Sequence, residues 1–291
     1  MSFDALIEKI KVKGNPTVMG IDPLLEYMPA ALREGKPISE ALISFCHRLI
    51  DVTADVVAAV KPQSAYFERY GLEGLFALDS IIKYARSAGL YVILDAKRGD
   101  IGPTAESYAE AAFGKYSSGA DCLTVNPYLG SDGVLPFSEA AKKYDKSIFV
   151  LARTSNPSAA EFQERTVGKD EFLYEAVGKK IAEWGSDSIG AYGYNRVGAV
   201  AGATYPAQLG NLRRMLPNTF FLVPGYGSQG GAADDVMPAF DESGSGAVVN
   251  NSRGIMCAWK TMKRPAEDFA DCAREAALTM RGAISEALGK K

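Results

Sequence analysis

Short apolar runs alternate with longer amphipathic stretches along most of the chain. Apolar runs of this length, bounded by polar punctuation, read as parallel strands buried on both faces. Eight are predicted: Thr17–Ile21, Val56–Val60, Tyr91–Leu94, Cys122–Val125, Ser147–Leu151, Val197–Val200, Phe220–Val223 and Ala247–Val249. Helical spacing fills the intervals. Ser39 is predicted to cap a helix carrying Leu42, Phe45, Cys46 and Leu49. Gly74–Ser87 carries Leu75, Leu78 and Ile82 and stops at Gly89. Thr104–Tyr116, Asp170–Trp184, Pro206–Met215 and Ala232–Phe240 continue the pattern, and Pro206 and Pro265 suit first-turn positions. The Ala-rich stretch Pro265–Leu288 could close an outer ring of helices.

Such alternation predicts an α/β fold with a parallel sheet and crossover helices. Eight units favour a closed (β/α)8 TIM barrel, a single domain over residues 1–291. An open doubly wound sheet usually has fewer units and a GxGxxG turn after its first strand. Here Asp22-Pro23-Leu24 follows instead. The segment after strand five, Thr154 to Gly193, is too long for a plain βα unit. It predicts an added loop and an extra helix at the barrel mouth.

Composition narrows the function. The chain of 291 residues is 47% hydrophobic and 23% charged, which excludes a disordered or fibrous protein. Lys and Arg number 32 against 35 Asp and Glu, so a nucleic-acid partner is not expected. A small anionic substrate needs only one local basic pocket and stays open. No apolar run approaches the ~18 residues of a membrane span, and the N-terminus lacks a signal-peptide core. A cytoplasmic protein is expected. Cys46, Cys122, Cys257 and Cys272 lie far apart, with neither a disulfide framework nor zinc spacing. His47 is the only histidine and belongs to a helix away from any plausible site. Acid–base chemistry therefore falls to Lys and Asp, and no ligand cluster predicts a metal or cofactor. Ser155 and Ser228 lack the histidine that a Ser-His-Asp hydrolase requires.

Charged and amide residues follow the strands. In a (β/α)8 barrel these C-terminal strand ends carry the active site. Asp22 ends strand one, Lys61 strand two, and Asp95-Ala-Lys97-Arg-Gly-Asp100 strand three. Asn126 ends strand four, Arg153-Thr-Ser155-Asn strand five, and Asn250-Asn-Ser-Arg253 strand eight. Any one of these could be a solvated loop residue. Asp95 and Lys97 differ, because period-two alternation puts both on one face over the barrel mouth. With Lys61 beside them they form either a charge array or a salt bridge capping the barrel. Asp22 and Asp100 are expected in the same layer. The Gly-rich run Pro224–Gly231 follows strand seven, where barrels commonly bind phosphate, and Arg253 could add a clamp. A plain glycine turn is the alternative.

These motifs resemble the orotidine 5′-monophosphate decarboxylase family. Asp95 to Thr104, DAKRGDIGPT, is similar to its DxKxxDI signature. KPQSAYFE from Lys61, TVNPYLG from Thr124, RTSNP from Arg153, PGYGSQGG from Pro224 and NNSR from Asn250 fall in the family's order. The length and the segment after strand five resemble its longer bacterial subgroup. The resemblance implies that Lys97 protonates C6 of the pyrimidine once carbon dioxide leaves. It places Asp95 beside the substrate carboxylate and Lys61 in the array and on the ribose, with Asp22 on a ribose hydroxyl. Asp100, Ile101 and Thr104 would act in a partner's site, which implies a homodimer. Ser155 would bond the base, Pro224 line its pocket, and Gln229 and Arg253 grip the phosphate. The family uses no metal or organic cofactor. Tyr226 and Ser252 stand at variable positions and receive no role.

Three other readings share parts of this pattern. A phosphosugar decarboxylase or synthase carries DxKxxD but needs magnesium and an acid after strand two, where this chain has Lys61. A Schiff-base aldolase would use Lys97 as nucleophile. A silent phosphate-binding barrel would need only the loop.

Overall fold

The computed structural model describes residues 2–227 and 231–290. Eight parallel strands close into a barrel in simple chain order. They are β1 (Thr17–Ile21), β2 (Ala59–Pro62), β3 (Tyr91–Arg98), β4 (Cys122–Val125), β5 (Ser147–Arg153), β6 (Val197–Ala201), β7 (Phe221–Val223) and β8 (Ala247–Asn251). Closure pairs Thr17 with Val249 and Val18 with Asn250. The principal outer helices are α2 (Ile38–Thr53), α3 (Gly71–Ser87), α4 (Gly102–Phe113), α5 (Ser131–Lys143), α6 (Leu173–Gly185), α7 (Pro206–Met215) and α8 (Phe269–Gly289). Helix α1 (Ser2–Lys13) precedes the barrel. Among the described residues no helix is long and apolar enough to cross a membrane. All four cysteines are free and buried.

The strands bury both faces, and their period of two sorts the residues. Met19, Ile21, Val60, Val92, Leu123, Ile148 and Val150 pack outward with the helices. Val18, Ala59, Ile93, Cys122, Phe149, Val200, Leu222 and Val248 fill the interior with Phe3, Leu6 and Ile7 of α1. Phe3 lies 4.9 Å from Phe149 and 5.1 Å from Phe220, ring centre to ring centre. This aromatic plug fills the barrel interior together with α1. The next inward residue beyond the apolar layer is polar on five strands: Lys61 on β2, Asp95 on β3, Thr124 on β4, and, after one glycine or directly, Asp22 on β1 and Asn250 on β8.

Several sequence expectations need correction. Strand β2 starts at Ala59, not Val56, because Val56 and Val57 donate to the Thr53 carbonyl in a buried turn. Ser39 does not cap α2. Pro37 holds that position, and Ser39 directs its N–H and hydroxyl to Glu73 Oε2 at 2.9 and 3.1 Å. Helices α1 and α5 were not predicted. The segment after β5 holds a short helix (Ala160–Gln163), a hairpin of Thr166–Val167 with Glu171–Phe172, and then α6. Residues 170–172, expected in the helix, thus belong partly to that hairpin.

Candidate active site

A cavity of about 690 Å³ opens among the strand ends. Its walls include Asp22, Lys61, Asp95, Lys97, Ser155, Pro224 and Arg253, so the structure brings seven of the predicted residues together. That volume suits a nucleotide-sized ligand. Asp100, Ile101 and Thr104 lie elsewhere. Asp100 Oδ1 accepts the Ile101 N–H at 2.8 Å, and Ile101 is 53% exposed beside a shallow cleft between α4 and α5. Asp100, expected in the layer of Asp22, is not among the residues that line this cavity. Asp100 lies in the short link between β3 and α4. Gln229 falls outside the described residues.

Asp95 is the hub of the site and is 6% exposed. Its Oδ2 accepts Lys61 Nζ at 2.5 Å, and its Oδ1 accepts Lys97 Nζ at 2.6 Å and Thr124 Oγ1 at 2.9 Å. Burial alone would raise the Asp95 pKa, but the two ammonium groups outweigh it and hold the carboxyl well below the usual range. Burial also opposes the charge on Lys61. The carboxylates of Asp95 and Asp22 override it and raise that pKa above an ordinary lysine. Burial raises the Asp22 carboxyl, against the pull of Lys61 and the Ser252 hydroxyl. Asp22 Oδ1 is buried with no hydrogen-bond partner, as is Asn250 Oδ1. Both residues border the cavity.

Lys97 reaches Asp95 by a route that simple alternation does not describe. Between the Leu94–Leu123 and Arg98–Val125 pairs, β3 places three residues against the single Thr124 of β4. Lys97 takes φ 46°, a left-handed conformation that costs a non-glycine residue on the order of 1 kcal/mol or more. Thr124, missed by the sequence analysis as a site residue, holds this bulge. Its hydroxyl oxygen accepts the Ala96 and Lys97 N–H groups at 3.0 and 2.8 Å while donating to Asp95. One buried oxygen thus fixes both the backbone of the lysine and its carboxylate partner. Gln63, Tyr66, Gln163 and Ser252 are further wall residues that were not predicted.

The loop after β7 folds back on itself. Gly227 N–H donates to the Gly231 carbonyl at 2.8 Å and Gly231 N–H to that of Gly225 at 3.2 Å. Gly225 and Gly227 have φ of 104° and 71°, which only glycine adopts freely. Arg253 begins the short helix Arg253–Met256 and borders the same cavity. His47 stays outside this site: its ring stacks on Tyr84 at 3.7 Å.

Fold and site together define a (β/α)8-barrel enzyme with an alternating Lys–Asp–Lys array at the barrel mouth. The model of the orotidine 5′-phosphate decarboxylase / HUMPS family matches residues 33–263. The chain belongs to this family. It is 44% identical over 274 residues to an orotidine 5′-phosphate decarboxylase of Rhodopirellula baltica, covering 90% of this chain and 88% of that one. Among solved structures it is similar to the OMP decarboxylase of Leishmania donovani, with TM-score 0.73, 35% identity, and 97% and 99% of the two chains covered. It is also similar to the UMP synthase of the same organism, with TM-score 0.75 and 37% identity. There the match covers 97% of this chain and 56% of the longer protein.

Proposed function

We propose that the protein converts orotidine 5′-monophosphate to uridine 5′-monophosphate and carbon dioxide, a step of pyrimidine nucleotide synthesis, without a metal or organic cofactor. The observation that carries this reading is the Lys61–Asp95–Lys97 array, with Lys61 and Asp95 buried, on one wall of a nucleotide-sized cavity. In this reading the phosphate meets Gln229 and Arg253 and the ribose meets Asp22 and Lys61. The base meets Ser155 and Pro224, and the C6 carboxylate faces Asp95. The bond from C6 to the carboxylate breaks, and its electron pair stays on C6 as carbon dioxide departs. The Lys97 ammonium stabilises that pair and then gives C6 a proton; water reprotonates the amine. A fixed cation beside developing charge needs no reorganisation as the charge forms. Asp95, held ionised by two lysines, stands against the substrate carboxylate before reaction and not against neutral carbon dioxide after it.

Asp100, exposed Ile101 and Thr104 lie outside the cavity of their own chain. Their position supports a homodimer of single-domain barrels in which they complete the partner's site. The test of the activity is incubation with orotidine 5′-monophosphate and a chelator, followed by ultraviolet absorbance beside a Lys97→Ala control. Substrate loss in the wild type alone is expected. No loss in either protein overturns the reading and turns attention to a phosphosugar with magnesium.

Arg253→Ala is expected to lower kcat/KM by about a hundredfold. Charge-assisted bonds contribute roughly 1.5 kcal/mol or more each, and a guanidinium offers two to a phosphate. Binding energy far from the reacting carbon can thus be used in the transition state. An unchanged kcat/KM would remove Arg253 from the phosphate grip.

A further inference from the structure

The segment after β5 is joined to the site by an unusual set of contacts. Arg153, at the end of β5, is 1% exposed. Its Nη2 donates to Glu164 Oε1 at 2.7 Å, its Nη1 donates to the Thr154 carbonyl at 2.7 Å, and the guanidinium lies 3.9 Å over the Tyr205 ring. Gln163, the neighbour of Glu164, holds Thr154 at two points. Gln163 Oε1 accepts the Thr154 N–H at 2.8 Å, and Gln163 Nε2 donates to Thr154 Oγ1 at 2.8 Å. The Thr154 hydroxyl in turn donates to Asn156 Oδ1 at 2.6 Å. These bonds bracket Ser155 from both sides in sequence.

The opposite side of Ser155 is fixed by the barrel itself. Thr204 Oγ1 donates to the Ser155 carbonyl at 3.1 Å, and Gly202 packs so closely that an added Cβ would come within 2.9 Å of Ser155. Ser155 is therefore held between the end of β6 and the short helix Ala160–Gln163. Packing alone does not secure that helix. Phe162 is 65% exposed, and a second cavity of about 730 Å³, lined by Phe162, Leu173, Tyr174, Val177 and Trp184, lies against it. Gln163 and Leu151 border both cavities. Polar contacts from Gln163 and Glu164 carry the placement of the helix on the Ser155 loop.

We propose that Gln163 and Glu164 are positioning residues for recognition of the pyrimidine, clamping the β5 loop so that the Ser155 hydroxyl meets the base. The inference rests on the functional reading above and gives the segment after β5 a task in it. A clamp on the base end of the site acts on ligands that carry a base. It leaves alone those held only through ribose and phosphate. Loss of the clamp therefore separates two affinities that a general loss of structure would lower together.

The experiment measures competitive inhibition by uridine 5′-monophosphate and by ribose 5-phosphate, with kcat and KM, in the wild type and in Gln163→Leu. Leucine keeps the volume and removes both bonds to Thr154. The inhibition constant for uridine 5′-monophosphate is expected to rise about tenfold, while that for ribose 5-phosphate stays within about twofold; a tenfold change matches one good hydrogen bond. Glu164→Gln keeps an acceptor for Arg153 without the charge. It should move the same ratio by a smaller factor and serves if the leucine variant does not fold. Equal losses for both inhibitors, or no change in either, overturn the clamp. A wild type with no decarboxylase activity overturns the functional reading, and the clamp with it; an active wild type with an unmoved ratio overturns the clamp alone.

Discussion

Lys97→Ala is expected to lower kcat/KM for orotidine 5′-monophosphate by at least about 10⁴-fold while leaving the fold intact. Two separate contributions leave with the ammonium. A positioned general acid supplies typically 10²–10⁴-fold. A fixed charge facing the developing carbanion supplies roughly another 10²–10³-fold. Neither is replaced by a neighbour. Lys61 donates to the other oxygen of Asp95 from a site with 6% side-chain exposure, and it is committed there. The Lys97 side chain is 45% exposed, so its ion pair with Asp95 contributes little to stability, about 1 kcal/mol at most. Single-turnover decay of substrate absorbance, together with unchanged affinity for uridine 5′-monophosphate, checks this. A loss of less than tenfold would take Lys97 out of the proton transfer.

The second large effect is on stability. Asp95→Asn is expected to destabilise the protein by about 3–5 kcal/mol near neutral pH, the usual result of leaving one member of a buried pair without its counter-charge. Lys61 is 5% exposed and would keep only the Asp22 carboxylate opposite it. The pH dependence has a definite sign. The folded-state pKa of Asp95 is depressed, so its contribution is present above the unfolded value of about 3.9. It fades as pH falls through the folded value. The folded-state pKa of Lys61 is raised, so its contribution is present below the unfolded value of about 10.4 and fades as pH climbs through the folded value. Urea unfolding of wild type and variant should show the full gap at neutral pH and a narrowing gap below about pH 4. A gap under about 1 kcal/mol at neutral pH would mean that water reaches Lys61 and screens the pair.

The parts of the molecule that could be read from the sequence are those where one local signal decides the structure. Barrel strands are buried on both faces, so each appears as an unbroken apolar run. Six of the eight begin where the run begins, and β7 starts one residue late, after Phe220. Strand β2 slipped because Val56, Val57 and Ala58 are as buried as a strand while serving a turn. Helix α5 stayed hidden because Gly133 and Pro136 are helix-breaking residue types in its sequence, although the helix runs through both and Val134, Phe137 and Ala141 keep helical spacing on its buried face. Asp22, Lys61 and Asp95 were visible as charges directly after apolar runs. Thr124 carried the same positional signal, one inward step past Cys122, but without a charge to mark it. The bulge that turns Lys97 into the left-handed region depends on a hydroxyl from another strand and has no local sign. Gln163 lies in a segment whose contact with Thr154 exists only after the chain has folded back from β5. The placement of Asp100, Ile101 and Thr104 away from their own cavity was implied by family resemblance alone.

Closure of the barrel also bears on how the protein is made. Thr17 finds its partner at Val249, about 230 positions later, so at about 5–20 residues per second a ribosome delivers the two roughly ten to fifty seconds apart. Through that interval the first strand can pair with Ala59 and Val60 on one side only, and its other edge stands open. An open edge on a nascent chain is a template for the wrong strand. A transcript that stops short of Ala247 leaves two such edges, on β1 and β7, with nothing downstream to cover them. Truncated products are therefore expected to go to chaperones and proteases, and the fully closed form waits for the last strand to leave the exit tunnel.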